Sequence, residues 1–335
     1  MIKKTSIYDI AKELNIAAST VSRALNGQDN ISEAVRKKVL LVAQELNYQP
    51  NKMAKNLKMG CTNTIGVIIP QLNRYFFSNA IDGIEMMASN SGYNVIIYQT
   101  QNDVNQEIKA IKNLNRSVVD GLLISVVADQ SDYSHFKEAQ ELGMPLIFFD
   151  RYPMSNDFKR VCMDDAEASR KAVAHLASTG RKKIFHFSGN QCVSIWKERT
   201  NGYMSMMKDL GIIVEPEWIF QNTQNLDSGI EAAERMIKEG NIPEAIYASS
   251  DHPMLGAMST FKRYGYKIPN DISMMGFGDE IFSPFTDPSL STVDQHPREM
   301  GKEAFIQLER MIQNKEVPDE VIIKHDLIIR GSSML

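Results

Sequence analysis

The chain has 335 residues, 43% of them hydrophobic and 23% charged, and a formal net charge of -4. That is more than one core usually holds, so two or three domains are expected. No apolar run approaches the roughly 18 residues of a membrane helix, and Met1-Ile-Lys-Lys lacks the apolar segment of a secretion signal, so neither membrane insertion nor export is expected.

The three cysteines (Cys61, Cys162, Cys192) lie far apart with no Cys-x-x-Cys or paired Cys/His spacing. They are expected as reduced thiols, with no metal site and no cofactor.

In chain order, apolar residues at Ile7, Ile10, Ala11 and Leu14 mark one face of a short helix. Ser6 followed by Asp9 resembles a capping box, which starts that helix at Ile7. Asn15 and Ile16 break the pattern, and a second apolar face resumes at Val21, Ala24 and Leu25, the spacing of a helix-turn-helix.

The second helix leaves Ala18, Ser19, Thr20, Ser22, Arg23 and Asn26 outside. These are small side chains with hydroxyl, amide and guanidinium donors, on an element that fits the major groove. A polar face by itself more often only meets solvent, so the neighbouring stretches matter. Ser32 caps a third helix running to about Leu46, with Val35, Val39, Val42, Ala43 and Leu46 inward and Arg36, Lys37 and Lys38 outward.

The run from Ile7 to Leu57 resembles the LacI/GalR family of bacterial transcription regulators. The resemblance is carried by Tyr-Asp-Ile-Ala, Thr-Val-Ser-Arg-Ala-Leu-Asn-Gly, Val-Arg-Lys-Lys-Val and Leu-Asn-Tyr-Gln-Pro-Asn. It implies that Ala18, Ser19 and Arg23 read bases while Tyr8, Thr20, Ser22 and Asn26 hold the DNA backbone. It also implies a hinge helix over Asn51 to Leu57 that orders in the minor groove, with Ala54 packing on a partner's hinge and Leu57 as an apolar wedge. Ala17 departs from the family, which usually has a hydroxyl-bearing cap there, so the second helix should start less firmly.

Charge divides the chain in the same place. Residues 1–60 hold ten basic and five acidic side chains, a net of +5, which leaves -9 for residues 61–335. A basic head on an acidic body is what attraction to phosphate at one end requires.

Beyond Gly60, Thr64 to Pro70 reads as a buried strand, followed by a helix from about Phe77 to Ser91 and a strand from Tyr93 to Gln99. The alternation continues with a helix near Asn105 to Asn115, strand Gly121 to Ser125, a helix near Tyr133 to Leu142 and strand Pro145 to Phe149. A second set follows: helix Glu167 to Ser178, strand Lys183 to Phe187, helix Arg199 to Leu210, strand Trp218 to Phe220, helix Ser228 to Glu239, strand Ala245 to Ala248, helix Pro253 to Tyr264 and strand Ile272 to Gly276. Continuous apolar strands between amphipathic helices predict two doubly wound parallel-sheet halves with a cleft between them.

This body resembles the effector-binding part of the same family, related in fold to periplasmic binding proteins. The fold class expected is therefore an all-α helix-turn-helix domain plus an α/β periplasmic-binding-protein-like domain of two doubly wound parallel-sheet subdomains. The expected division is 1–48 helix-turn-helix, 49–61 hinge helix and linker, and 62–335 effector-binding and dimerisation domain. On the resemblance the last crosses between halves near Val161, Thr292 and Val321, giving an N-subdomain of about 62–161 and 293–321 and a C-subdomain of about 162–292 and 322–335.

Ligands in open sheets lie beyond the carboxyl ends of the strands. The loops there offer Asn73, Phe76, Phe77, Asp150, Arg151, Asp164, Arg199, Asp251, Asp279 and Gln295 as effector-binding candidates, matched to family positions. Any one alone would more often be a cap or an ordinary loop residue. Met275-Gly-Phe-Gly-Asp279 departs: Gly278 stands where the family usually has an effector-binding aspartate, so either Asp279 substitutes or the ligand lacks the group it would hold. Trp196 and Lys197, placed in a loop ahead of Arg199, are further candidates for stacking and for anion pairing.

Nucleotide-binding glycine motifs, a nucleophile elbow and a His-Glu-x-x-His pattern are absent from the sequence, so no enzyme is expected. The expectation is a cytoplasmic, nucleoid-associated homodimeric regulator on a near-palindromic double-stranded operator. Its DNA affinity would answer to a small polar effector, a sugar or sugar derivative. The competing reading is a small-solute-binding protein without regulatory DNA binding.

Overall fold

The computed structural model describes residues 5–27, 30–48, 61–115, 118–127, 132–155 and 157–334. The chain separates into two compact units, residues 1–61 and 62–335. The expected hinge, with Asn51, Ala54 and Leu57, lies outside the described residues.

The first unit is three helices: α1 (Ile7–Leu14), α2 (Ala18–Leu25) and α3 (Glu33–Glu45). The Asp9 carboxylate accepts from the Ser6 N–H at 2.8 Å and the Ser6 hydroxyl at 2.7 Å, the carboxylate arm of the expected box. Asn15, in the left-handed region with φ 53°, ends α1 and turns the chain into α2. One core joins all three helices: Ile10, Ala11, Val21, Ala24, Val39 and Ala43 are buried, with Ile7, Leu14, Leu25, Val35 and Val42 packed around them. Leu46 differs from expectation, since it lies one residue past α3 and is 36% exposed.

The second unit is a parallel α/β body. Its first sheet runs in the order β2 (Asn94–Gln99), β1 (Thr64–Ile69), β3 (Gly121–Ile124), β4 (Leu146–Phe149), β5 (Arg160–Met163), β11 (Glu320–Ile323). Every pairing in it is parallel, with Thr64 opposite Asn94 and Ile65 opposite Gly121. The second sheet, also parallel, runs β7 (Ile219–Phe220), β6 (Ile184–Phe187), β8 (Ala245–Ala248), β9 (Ser273–Met275). Residues 65–69, 121–124, 146–149, 184–187 and 245–248 are buried throughout, as strands covered on both faces must be.

Strand β1 lies between β2 and β3, and β6 between β7 and β8, so each sheet has a point where successive connections leave in opposite directions. Those switch points open a crevice at the carboxyl ends of the strands. Helices α4 (Tyr75–Asn90), α5 (Val104–Asn113), α6 (Ser134–Glu141) and α11 (Pro297–Ile312) belong to the first lobe; α7 (Asp165–Ser178), α8 (Ser194–Asp209), α9 (Leu226–Glu239) and α10 (Asp251–Arg263) belong to the second. The chain passes between lobes after β5, along the antiparallel pair β10 (Thr292–Asp294) and β12 (Asp326–Ile328), and after β11.

Five helix starts differ from the sequence reading: α4 begins at Tyr75 rather than about Phe77, α9 at Leu226 rather than Ser228, and α10 at Asp251 rather than Pro253. α7 begins at Asp165 rather than Glu167, with Asp164 as its cap, and α8 begins at Ser194 rather than Arg199. Trp196 and Lys197 therefore occupy the first turn of α8, not a loop. Helix α11, with Pro297 in its first turn, has no counterpart in the expected elements.

Candidate functional site

In the head, α2 and its C-cap Asn26 expose Ser19, Arg23 and Asn26, with Thr20 and Ser22 half-buried beside them. Ala18 is half-buried against the three-helix core, and Tyr8 on α1 is 71% exposed. The Asn26 amide donates to the Ser22 carbonyl at 2.7 Å, so its donors are held along the helix. Ala17 caps α2 with no side-chain hydrogen bond, as its identity dictates.

In the body, the strand-end loops meet around Arg199. This arginine is 4% exposed. Its Nε donates to Asp165 at 2.7 Å, Nη1 to the Ser249 carbonyl at 2.8 Å and Nη2 to the Gln295 Oε1 at 2.8 Å, with the guanidinium 3.7 Å from the centre of the Phe277 ring. Four segments of the chain, at α7, α8, β8 and the β10 crossing, are thus joined by one side chain. Burial pushes the Asp165 carboxyl up to about 6, against the pull of Arg199.

Beside it lies a second group. Asp150, at the end of β4 with φ 60°, is buried, accepts from the Ser125 hydroxyl at 3.4 Å and has its carboxyl raised by burial. The Arg151 Nη1 donates to the Asn102 side-chain Oδ1 at 3.0 Å. Its guanidinium lies 5.8 Å from the centre of Phe77, in α4, and 5.1 Å from that of Trp196, in α8. The indole packs against Gly189, where a Cβ would collide with it. Phe76 is half-buried and edge-on to Phe77, which is in turn edge-on to Phe149.

Not every candidate joins this cluster. Asp164 caps α7, accepting from the Glu167 N–H at 2.8 Å, and it is the neighbouring Asp165 that turns inward. Asp251 is fully buried, and its carboxylate accepts from the Glu280 N–H (2.9 Å), the Ser283 hydroxyl (2.8 Å) and the Thr292 hydroxyl (2.7 Å). Three acceptor contacts at those distances tie a loop down rather than await a ligand. Asn73 is exposed on an open groove of about 570 Å³ with Gln71, Leu72, Gln99 and Gln101.

Asp279 pairs with Arg330 at 2.7 Å. It also lines a smaller pocket of about 220 Å³ with Tyr75, Asn79, Gly278, Asp294 and His296. Gly278 has φ 129°, a backbone that favours glycine, and a Cβ there would sit 3.5 Å from the Gln295 Nε2.

Sequence reading missed Asp165, Ser249, Phe277, Asn102 and Ser125. Asp165 had a signal, because Asp164-Asp-Ala-Glu167 is an N-terminal capping pattern that puts the second aspartate inside the helix. Ser249 acts through its backbone carbonyl, which no side-chain pattern marks.

Two family matches divide the chain as the structure does: residues 6–51 match "Bacterial regulatory proteins, lacI family", and residues 62–331 match "Periplasmic binding proteins and sugar binding domain of LacI family". The chain belongs to the LacI family of bacterial regulatory proteins. The HTH-type transcriptional repressor CytR of Escherichia coli (strain K12) is 32% identical over 98% of this chain and 96% of that protein. Catabolite control protein A of Priestia megaterium is 30% identical over 98% of this chain and 99% of its own length.

In fold, this LacI-family chain is similar to the lac repressor dimer bound to operator and the anti-inducer ONPF, with a TM-score of 0.88 at 24% identity over 99% of this chain and 100% of that one. It is also similar to the transcriptional regulator CelR in complex with cellobiose, with a TM-score of 0.75 at 22% identity over 98% and 100%. LacI-family membership makes it a DNA-binding transcription regulator and sets the enzyme reading aside. Among the described residues no helix is long and apolar enough to cross a membrane.

Proposed function

We propose that this LacI-family protein represses transcription as a homodimer on a near-palindromic operator, and that a small polar effector, a sugar or sugar derivative, held between the two lobes sets its operator affinity. Ser19 and Arg23 on the exposed face of α2, with Ala18, read bases; Tyr8, Thr20, Ser22 and Asn26 hold phosphates. Solved relatives in this fold include a dimer on its operator and a disaccharide complex, which supports both halves of the reading.

The observation that carries the effector reading is the buried polar cluster that spans the lobes. Asp150 and Arg151 come from the first lobe, Arg199, Ser249 and Trp196 from the second, and Gln295 from the crossing between them. Among the described residues the buried Ser249 hydroxyl has no hydrogen-bond partner. A core residue left so costs free energy, whereas a site for hydroxylated ligands needs such groups free. A ligand engaging both walls would favour one relation between the lobes, which is how it would shift an equilibrium.

The test is a gel shift of the full-length protein on genomic fragments with and without a panel of small sugars. Salt-sensitive retardation of a selected fragment, changed by at least one sugar, is expected. No selective DNA binding would favour a solute-binding protein; selective binding indifferent to every small ligand would remove the effector.

A further inference from the structure

The Arg151 guanidinium has donors that the protein does not satisfy. The residue is 8% exposed, yet among the described residues its Nε has no hydrogen-bond partner, and the Asp150 carboxylate oxygen is 3.9 Å away. At that separation the pair is an ion contact without a hydrogen bond. Among the described residues its only short acceptor is the neutral Asn102 side-chain amide oxygen, Oδ1. The two rings that flank it, Phe77 and Trp196, attract its charge but accept no strong hydrogen bond.

The surroundings are also cationic. Arg74 and Arg199 both lie close enough to Arg151 to act on its charge. Among the described helices of the body, α4, α6, α8, α10 and α11 start with no side-chain cap. By contrast α5, α7 and α9 are capped by Asp103, Asp164 and Asn225. The carboxyl beside it, Asp150, is raised by burial, with Arg151 and Arg199 opposing.

Resting on the effector reading above, we propose that the effector is anionic and docks a phosphate or carboxylate on Arg151, between Phe77 and Trp196. A planar fork with free N–H groups matches two oxygens of either anion, and a neutral sugar offers no equal partner. Because its two ring neighbours belong to different lobes, an anion there would also replace a cross-cleft contact, Arg151 on Trp196, with one of its own.

The experiment uses the full-length protein. Melting temperature is followed in inorganic phosphate against chloride at matched ionic strength. Binding is compared for glucose, glucose 6-phosphate and gluconate, and for ribose and ribose 5-phosphate, with operator retardation as a second readout. The expected result is stabilisation by phosphate over chloride and a charged member of a set binding at least about tenfold tighter than its neutral parent. The phosphate esters and gluconate distinguish the two anions.

Arg151→Gln should remove both effects and Arg151→Lys should keep part of them. Equal stability in phosphate and chloride overturns the proposal, as does a neutral sugar binding as tightly as its charged form or a charge preference that survives Arg151→Gln. A neutral sugar that releases the operator would sink the anion and leave the effector reading standing.

Discussion

Arg199 shows how one side chain can serve both stability and response. Removing it leaves Asp165, 4% exposed, without its cation, and a buried carboxylate stripped of its partner costs about 3–5 kcal/mol. Arg199→Ala is therefore expected to lower the urea midpoint of the body as well as to abolish the effector response. Adding Asp165→Asn should recover part of the stability, since the stranded charge is gone, but none of the response. A double substitution no more stable than Arg199→Ala alone would mean the pair is not the cause.

Glu280 supports a prediction about pH. Burial and the nearby Asp251 push its carboxyl up to about 7, with Arg74 opposing. A carboxyl that holds its proton more tightly folded than unfolded adds stability below its unfolded value and loses it as pH rises through about 7. Burial lowers His252, 3.5 Å from Glu280, to about 4, which acts in the opposite direction as pH falls below the usual histidine range. The difference between wild type and Glu280→Gln isolates the carboxyl. Urea unfolding from pH 5 to 8 should show wild type losing about 2–3 kcal/mol relative to the variant. Parallel curves would show that Glu280 is not buried in its acid form.

At the scale of elements, what was legible depended on whether a local rule marked the boundary. The helix-turn-helix was readable because Ser6, Asn15 and the apolar spacing of α1 and α2 all act within a few residues. The strands were readable because 121–124, 146–149 and 245–248 are apolar without interruption. The first turn of α8 was not, because Val193 gives no capping signal and Trp196 and Lys197 look like a loop. The site is affected most, since Asp165 and Trp196 each sit in a first turn that the sequence marks as a connection. Asp251, by contrast, is marked by its position in the family alone, and its engagement by Glu280, Ser283 and Thr292 depends on contacts that only the folded chain creates.

The same scale carries a test of α2. It has eight residues, and its cap, Ala17, gives the first turn no acceptor. Ala17→Ser supplies one, so the head should gain about 1 kcal/mol of stability in urea or thermal unfolding. Because residue 17 precedes the base-reading side chains, sequence preference should not change. No gain would mean that Ala17 meets a neighbour that a hydroxyl cannot accept.

For the whole molecule, a net of +5 in residues 1–60 and -9 in residues 61–335 makes DNA affinity a property of the head against the repulsion of the body. Two heads in a dimer neutralising about five phosphates between them would lose on the order of several hundredfold in affinity between roughly 50 and 200 mM salt. Within that dependence, Arg23 and the phosphate-facing side chains should separate. Arg23→Ala is expected to weaken the operator by about 1–3 kcal/mol while nonspecific DNA keeps most of its affinity. Thr20→Ala should weaken both alike, because a backbone contact carries no sequence. Titrating each variant against operator and random duplex at several salt concentrations checks both at once. Equal losses on the two duplexes for Arg23→Ala would place Arg23 on phosphate and leave the reading of bases to Ser19 and its neighbours.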